Sequence, residues 1–383
     1  MLNKPKFKVA IVYHFFAHYR GSIINKLLEN EQIEYSFIGG KKKNSFYSAL
    51  KLFDFENNSR FIEVTNNWFG GYYLWQSGLI NALKQEKFDC VIFLGDWKFL
   101  STWLAVFYLN IKRTPTLFWS HGLLNNVSSL NTSIKLLFFN RFKFGGFVYD
   151  NRAKNILASK GYSKNVNVVY NSLDYNGQVS IINSLTDADY KTIKFPKNKY
   201  VIFSGRIDER KELKLLVKAL SILKSKNNIV DALIIGDGAY LDELRNYANE
   251  LDVLEQFIFY GSCYDERVLA MYFIKSIACV VPSAVGLTAI HSLTYGVPVI
   301  TNNDIYSHGP EIEAVQDNKT GTFFEKGNAE SLASKIEIFV NASVNTRNMY
   351  RENAGKMIKQ NFTPENQLLI FNKRLFEIFE NIM

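Results

Sequence analysis

The sequence predicts an α/β protein of two doubly wound, Rossmann-like domains facing a cleft. Three observations carry that expectation. The 383 residues exceed what one core usually holds, since a domain typically takes roughly 100 to 200. Short apolar runs alternate with segments of helical period in two successive sets, the pattern of βαβ units and parallel sheets. Between the sets, near residues 172–199, the periodicity weakens and Asn, Ser, Asp and Lys accumulate, which marks a linker.

The first set begins with KVAIVYH and IEYSFIGG and continues through FDCVIFLGD, TPTLFWSHG, FVYDN and VNVVYN, with the helical patterns GSIINKLLEN and YYLWQSGLINALKQ among them. The second set is YVIFSG, ALIIGD, FIFYG, ACVVPS, PVITN and GTFFE. The final segment, ENQLLIFNKRLFEIFENI, places apolar residues at helical spacing. The expected boundaries are an N-terminal domain at 1–175, a linker at 176–198, a C-terminal domain at 199–360 and a terminal helix at 361–383.

Hydrophobic residues are 47% of the chain and charged ones 21%, which fits a folded globular protein. The 31 Phe and 21 Tyr suggest adherent aromatic surfaces as well as core. Charge is uneven: residues 1–180 hold 22 Lys and Arg against 11 Asp and Glu, and the remainder holds 23 against 25. In KKKNSFYSALKLF and SIKLLFFNRFKFGGFVY the cations are interleaved with aromatics, which fits a surface resting on anionic lipid headgroups. Each near-surface Lys or Arg contributes about 1 kcal/mol to such binding. No helix-turn-helix, zinc-finger or ribonucleoprotein pattern supports nucleic acid as the partner. A merely solvated basic face is the plainer alternative.

MLNKPKFKVAIVY runs directly into a first strand with no signal peptide, so a cytoplasmic protein is expected, peripherally associated with the inner face of the cytoplasmic membrane. FLSTWLAVFYLNI at 99–111 falls short of the about 18 to 20 residues of a spanning helix and is expected to be a core helix. Cys90, Cys263 and Cys279 are too scattered for a disulfide framework or a zinc site.

The densest chemistry lies in 201–324. Arg206 and Lys211 follow the apolar run VIF at the mouth of a predicted strand, with a helix expected to start near Glu209. A helix start offers unpaired N–H groups and about half a positive charge, so two cations there suit a phosphate. Such crevices at the carboxyl ends of strands are where open α/β sheets bind ligands.

These residues resemble the C-terminal domain of family 4 glycosyltransferases, which have the GT-B fold. The pattern G-R-x-x-x-x-K is matched by Gly205, Arg206 and Lys211, and the following G-x-G by Gly236 and Gly238. Pro282, Ser283, Gly286, Leu287, Gly296, Pro298 and Val299 match the next block, and Pro310, Glu311, Thr320 and Gly321 a later one. The resemblance implies that Arg206 and Lys211 hold the diphosphate of a nucleotide sugar, with uridine favoured over guanosine, and that no separate cofactor or metal is used. It implies that the terminal helix crosses back onto the first domain. It also places Gly261, Ser262 and Tyr264 against the base. Counting back from Gly296, the two glutamates of the family's E-x7-E fall on Ser283 and His291. A neutral His291 can still hydrogen-bond a ribose hydroxyl, whereas Ser283 is too short to reach the sugar. H-S-L-x-Y-G-x-P-V-I-T runs of this kind resemble bacterial surface-polysaccharide glycosyltransferases.

On the acceptor side the resemblance selects Tyr19 and Arg20, which end a P-x-Y-R-like segment, and His121 in WSHG at a strand end. Capping of the next helix would explain His121 without chemistry, and an acidic partner would explain Arg20. The loop NNDIYSHGPEIEAV supplies Asp304, His308, Glu311 and Glu313, of which Glu311 sits at a helix start where the macrodipole alone stabilises an acid. Glu313 is a candidate replacement for the missing carboxylates. Asp187 and Asp189 form a D-x-D, but in a polar linker rather than after an apolar strand, so no metal site is expected. The five histidines show no metal-ligand spacing.

The resulting expectation is a hexosyl transfer from a nucleotide-diphosphate sugar to a lipid-linked saccharide of capsule, O-antigen or exopolysaccharide synthesis, with the family implying retention. A catalytically silent scaffold of the same fold is the alternative, and a sugar-nucleotide epimerase a third.

Overall fold

The computed structural model describes residues 7–48, 50–55, 58–123 and 129–381. The chain divides into two compact units, Met1–Leu173 with Pro364–Met383, and Asp174–Thr363. Both are parallel α/β sheets, and the architecture is GT-B-like.

Unit 1 contains β1 (Phe7–Val12), β2 (Ile33–Gly39), β3 (Phe61–Glu63), β4 (Thr65–Phe69), β5 (Tyr73–Ser77), β6 (Cys90–Leu94), β7 (Thr116–Ser120), β8 (Gly146–Val148) and β9 (Val166–Val168). Its helices are α1 (Gly21–Leu28), α2 (Leu79–Gln85), α3 (Leu100–Ile111), α4 (Ser129–Phe139) and α5 (Asn151–Ser159). Seven strands form one sheet in the order β3-β2-β1-β6-β7-β8-β9, and β4 and β5 pair as a separate antiparallel hairpin. Strands such as FKVAIV and CVIFL are nearly continuous apolar runs because helices cover both faces of a parallel sheet. The order reverses between β1 and β6, which places the switch point at the loops leaving those strands.

Unit 2 contains α6 (Tyr175–Ser184), α7 (Asp187–Tyr190), β10 (Tyr200–Ser204), α8 (Leu213–Ser225), β11 (Asp231–Ile235), α9 (Leu241–Glu250), β12 (Phe257–Gly261) and α10 (Glu266–Lys275). It continues with β13 (Ala278–Val281), α11 (Leu287–Thr294), β14 (Val299–Asn302), β15 (Gly321–Phe324), α12 (Ala329–Val340) and α13 (Val344–Asn361). The sheet order is β12-β11-β10-β13-β14-β15, all parallel. α14 (Pro364–Glu380) then returns to unit 1, where Phe371, Leu375, Ile378 and Phe379 are buried with the core residues of β1 and β2.

Two segments differ from the sequence expectation. Much of 176–198 is helical rather than linker: Asp174 caps α6 through its side chain, and Thr186 and Asp189 form a capping box on α7. Polar capping residues give the same composition as a linker while starting helices. α3 is core on one face only. Ser101, Thr102, Ala105, Val106 and Leu109 are buried, while Leu100, Leu104, Phe107 and Ile111 are exposed.

Candidate functional site

In unit 2 the loops leaving β10, β11 and β12 are tied to one another. The Gly205 N–H donates to the Ile235 carbonyl (2.9 Å), the Gly236 N–H to that of Gly261 (2.8 Å), and the Ile207 N–H to that of Asp237 (3.0 Å). A Cβ on Gly236 would lie 1.8 Å from the Gly205 carbonyl oxygen, and one on Gly238 2.0 Å from that of Ile207. A side chain at either position would collide with the backbone of the neighbouring loop. Gly261 and Gly286 face open space. Ser262 and Tyr264 follow Gly261 and are exposed.

Arg206 leaves the end of β10 into solvent, and Lys211 is half-buried. The segment from Glu209 to Lys211 is a 3-10 turn, and α8 begins only at Leu213 because Glu212 takes a left-handed conformation (φ 52°). Asp208 pairs with Arg210 (2.8 Å), leaving neither Arg206 nor Lys211 with an ion pair among the described residues. Burial pushes the Lys211 ammonium below its ordinary range; Asp208 opposes that, while Arg210 and Arg206 add to it. A desolvated lysine with no ion pair among the described residues, beside a second cation and the start of a 13-residue helix, suits an anion in physical terms.

β13 lies beside β10, and its exit loop carries Gly286 and Leu287 into α11, where the Thr288 hydroxyl donates to the Ser204 carbonyl (3.1 Å). Ser283 is buried, and its Oγ has no hydrogen-bond partner among the described residues. His308 is a structural tie. Its Nδ1 accepts from the Val285 N–H (3.0 Å) and its Nε2 donates to the Asn302 carbonyl (2.9 Å), which fixes one neutral tautomer. Glu311 is buried in the five-residue 3-10 turn Pro310–Ala314. Asp304 pairs with Lys326 (2.8 Å). Asp189 of the D-x-D is held by Thr186 and Arg267.

The carboxylate that sequence reasoning missed is Glu266. Its Oε1 lies 2.7 Å from His291 Nε2 and accepts from Gln178 Nε2 (2.8 Å) and from the Tyr295 hydroxyl. Burial pushes this carboxyl up, but the hydrogen bonds and charge from His291, Tyr295 and Gln178 outweigh it and hold it at about 2. Three helices thus meet on one charged oxygen. The only local signal was Asp265-Glu266 after FIFYG: Asp265 caps α10, accepting from the Arg267 and Val268 N–H groups at 2.9 and 3.2 Å.

In unit 1 the loops leaving β1, β6 and β7 enclose a cavity of about 330 Å³ at the switch point, and Tyr19, Arg20 and His121 all line it. Arg20 Nη2 donates to the Tyr149 hydroxyl (2.6 Å). The imidazole of His121 opens onto the cavity and lies against Tyr149, with ring centroids 4.7 Å apart. Surrounding protein, then Arg20 and Arg152, push its pKa down to about 4. It is therefore neutral near pH 7 and able to accept a proton or a hydrogen bond.

The chain is similar to known proteins over much of its length. Residues 186–357 match the family described as "Glycosyl transferases group 1". A Klebsiella pneumoniae protein encoded in a cps region, otherwise uncharacterised, is 25% identical over 89% of this chain and 91% of its own. A Campylobacter jejuni N-acetylgalactosaminyltransferase that acts on an undecaprenyl-diphosphate-linked saccharide is 26% identical over 47% of this chain and 46% of its own. Anabaena HepE, solved with UDP, superposes with a TM-score of 0.70 at 16% identity, covering 98% of this chain and all (100%) of HepE. Most of unit 2 is thus similar to group 1 glycosyltransferases, and the fold of the chain is GT-B-like.

Proposed function

We propose that this protein transfers a hexosyl group from a nucleotide-diphosphate sugar, uridine-linked ahead of guanosine-linked, to a lipid-linked saccharide in bacterial surface-polysaccharide synthesis, with retention of configuration. The observation that carries the reading is the pair of cations Arg206 and Lys211, without ion-pair partners among the described residues, at the switch point of the unit 2 sheet. As the glycosidic bond to the leaving diphosphate breaks, negative charge grows on the departing oxygen, and pre-positioned cations stabilise that growth more than they stabilise the bound donor. Because these side chains supply the countercharge, the reaction as proposed needs no metal. His291 contacts the ribose, with Glu266 behind it contributing the carboxylate that the E-x7-E positions lack. Glycines 261 and 286 leave room for the nucleotide, and neutral His121 accepts a hydrogen bond from the acceptor or the donor sugar.

Membrane association fits the outer surface of unit 1. Exposed Leu100, Leu104, Phe107 and Ile111 lie at helical spacing along α3. The β4–β5 hairpin, with exposed Phe69, Tyr72, Tyr73 and Trp75, is joined to the start of α3 by bonds from the Leu74 N–H to the Lys98 carbonyl (3.1 Å) and from the Gln76 N–H to Ser101 Oγ (3.0 Å). From Trp97 to Tyr149 the sequence contains six Lys or Arg and no Asp or Glu. Aromatic and apolar side chains ringed by cations suit the headgroup region of an anionic bilayer. Among the described residues no helix is long and apolar enough to cross one.

The test is release of nucleoside diphosphate from a panel of sugar nucleotides with lipid-linked saccharide acceptors. Arg206→Ala and Lys211→Ala should each abolish transfer while the protein stays folded. Transfer that survives both substitutions refutes the diphosphate assignment, and no turnover by the unaltered protein favours the silent-scaffold reading.

A further inference from the structure

Arg20 presents an imbalance of charge in the unit 1 cavity. Four aromatic rings surround its guanidinium, those of Trp119 (4.9 Å), Tyr13 (5.3 Å), Tyr149 (5.5 Å) and Tyr19 (5.8 Å). A guanidinium has five N–H donors. Among the described residues one hydrogen bond engages them, to the neutral Tyr149 hydroxyl, and no carboxylate lies within ion-pair distance. Aromatic faces offset part of the cost of removing a cation from water, but a desolvated charge is ordinarily matched by an opposite one.

The rest of the lining leaves the imbalance in place. Among the described lining residues Asp96 is the single carboxylate, and Lys98 and Lys135, which also line the cavity, face it and lower its pKa against the larger effect of burial. Three cations therefore stand against one acid. His14 adds no charge: burial, then Arg20, push its imidazole down to about 3. It does add an unused polar group, since its buried Nδ1 has no hydrogen-bond partner among the described residues. At about 330 Å³ the cavity is at the lower end of the size range of small-molecule sites. Its walls are largely aromatic, and it sits at the carboxyl ends of β1, β6 and β7.

We propose that this cavity is an oxyanion subsite for the acceptor, in which the Arg20 fork and His14 Nδ1 hold a phosphate or carboxylate group carried by the acceptor saccharide while a sugar ring lies on the aromatic wall. The assignment to the acceptor rests on the glycosyltransferase reading above; the anion site itself does not. The guanidinium plane matches two oxygens of one oxyanion, a geometry that an ammonium cannot supply. Two sources share this chemistry, the diphosphate that links a saccharide to its lipid and the carboxylate of an acidic sugar.

The experiment has two parts. The first is calorimetric titration of inorganic pyrophosphate into full-length Arg206→Ala/Lys211→Ala protein, which removes the proposed donor site, with and without Arg20→Lys. Binding should persist in the double variant and weaken about 10- to 150-fold on adding Arg20→Lys, the range for losing a hydrogen bond to a charged group. Equal binding with and without Arg20→Lys, or none in the double variant, overturns the site whether or not the protein is a transferase. The second part compares kcat/KM of the unaltered protein and Arg20→Lys on one saccharide offered as a lipid diphosphate, a uronic acid glycoside and a neutral alkyl glycoside. Selective loss on the first or the second identifies the source. Equal loss on all three removes the acceptor assignment, and absence of sugar-nucleotide turnover by the unaltered protein identifies a failure of the functional reading instead. Thermal melting of each variant separates misfolding from lost binding.

Discussion

Replacing Glu266 with glutamine should make the stability of unit 2 less dependent on acid. In the native protein one carboxylate oxygen serves His291, Gln178 and Tyr295. Its pKa is held at about 2, against 4.5 for a free glutamate. The sign follows from linkage: the folded value lies below the unfolded one, so the stabilisation is complete above about pH 4.5 and is lost as the pH falls toward 2. Undiscounted, such a difference is about 3 kcal/mol. The side chain is 34% exposed, so solvent screening reduces the expected contribution to about 2 kcal/mol. Urea denaturation of the wild type and Glu266→Gln at pH 7 and near pH 2.5 measures it. The wild type should be more stable by about 2 kcal/mol at pH 7, and most of that gap should close at the lower pH. A gap that is the same at both values would refute the argument that the cluster is organised around a charged carboxylate.

Gly236→Ala should destabilise unit 2 by about 3 kcal/mol or more, because its Cβ would overlap the Gly205 carbonyl at 1.8 Å. Thermal melting checks this, with an expected fall of at least about 6 °C. Phe107→Asp on the exposed face of α3 should weaken binding to phosphatidylglycerol-containing vesicles about tenfold or more while leaving the melting temperature nearly unchanged. Vesicle sedimentation gives the answer, and undiminished binding removes α3 from the membrane surface.

What could be read from the sequence was local in origin. YVIFSG followed by Arg206 and Lys211 placed two cations at the end of a strand because apolar β-runs and their exits are sequence-continuous features. The two parallel sheets were legible for the same reason. Glu266 and His291 are 25 positions apart and meet only because α10 and α11 flank β13, so no local pattern announced the pair. α3 misled because its composition is apolar on both faces, and composition does not say which face finds a neighbour. Gly236 and Gly238 were visible as special positions, but whether a ligand or another loop approached them was not. The cation excess around Arg20 depends on three loops converging, which a linear reading reduces to one arginine in a polar segment.

The account's central claim is that Arg206 and Lys211 bind the diphosphate of a nucleotide sugar, and thermal stability with UDP, GDP and their common sugars tests it most directly. A nucleotide present at 100 times its dissociation constant should add about 2.7 kcal/mol, with a rise in melting temperature that disappears in Arg206→Ala. A rise of the same size in Arg206→Ala, or none with any nucleotide, would contradict it.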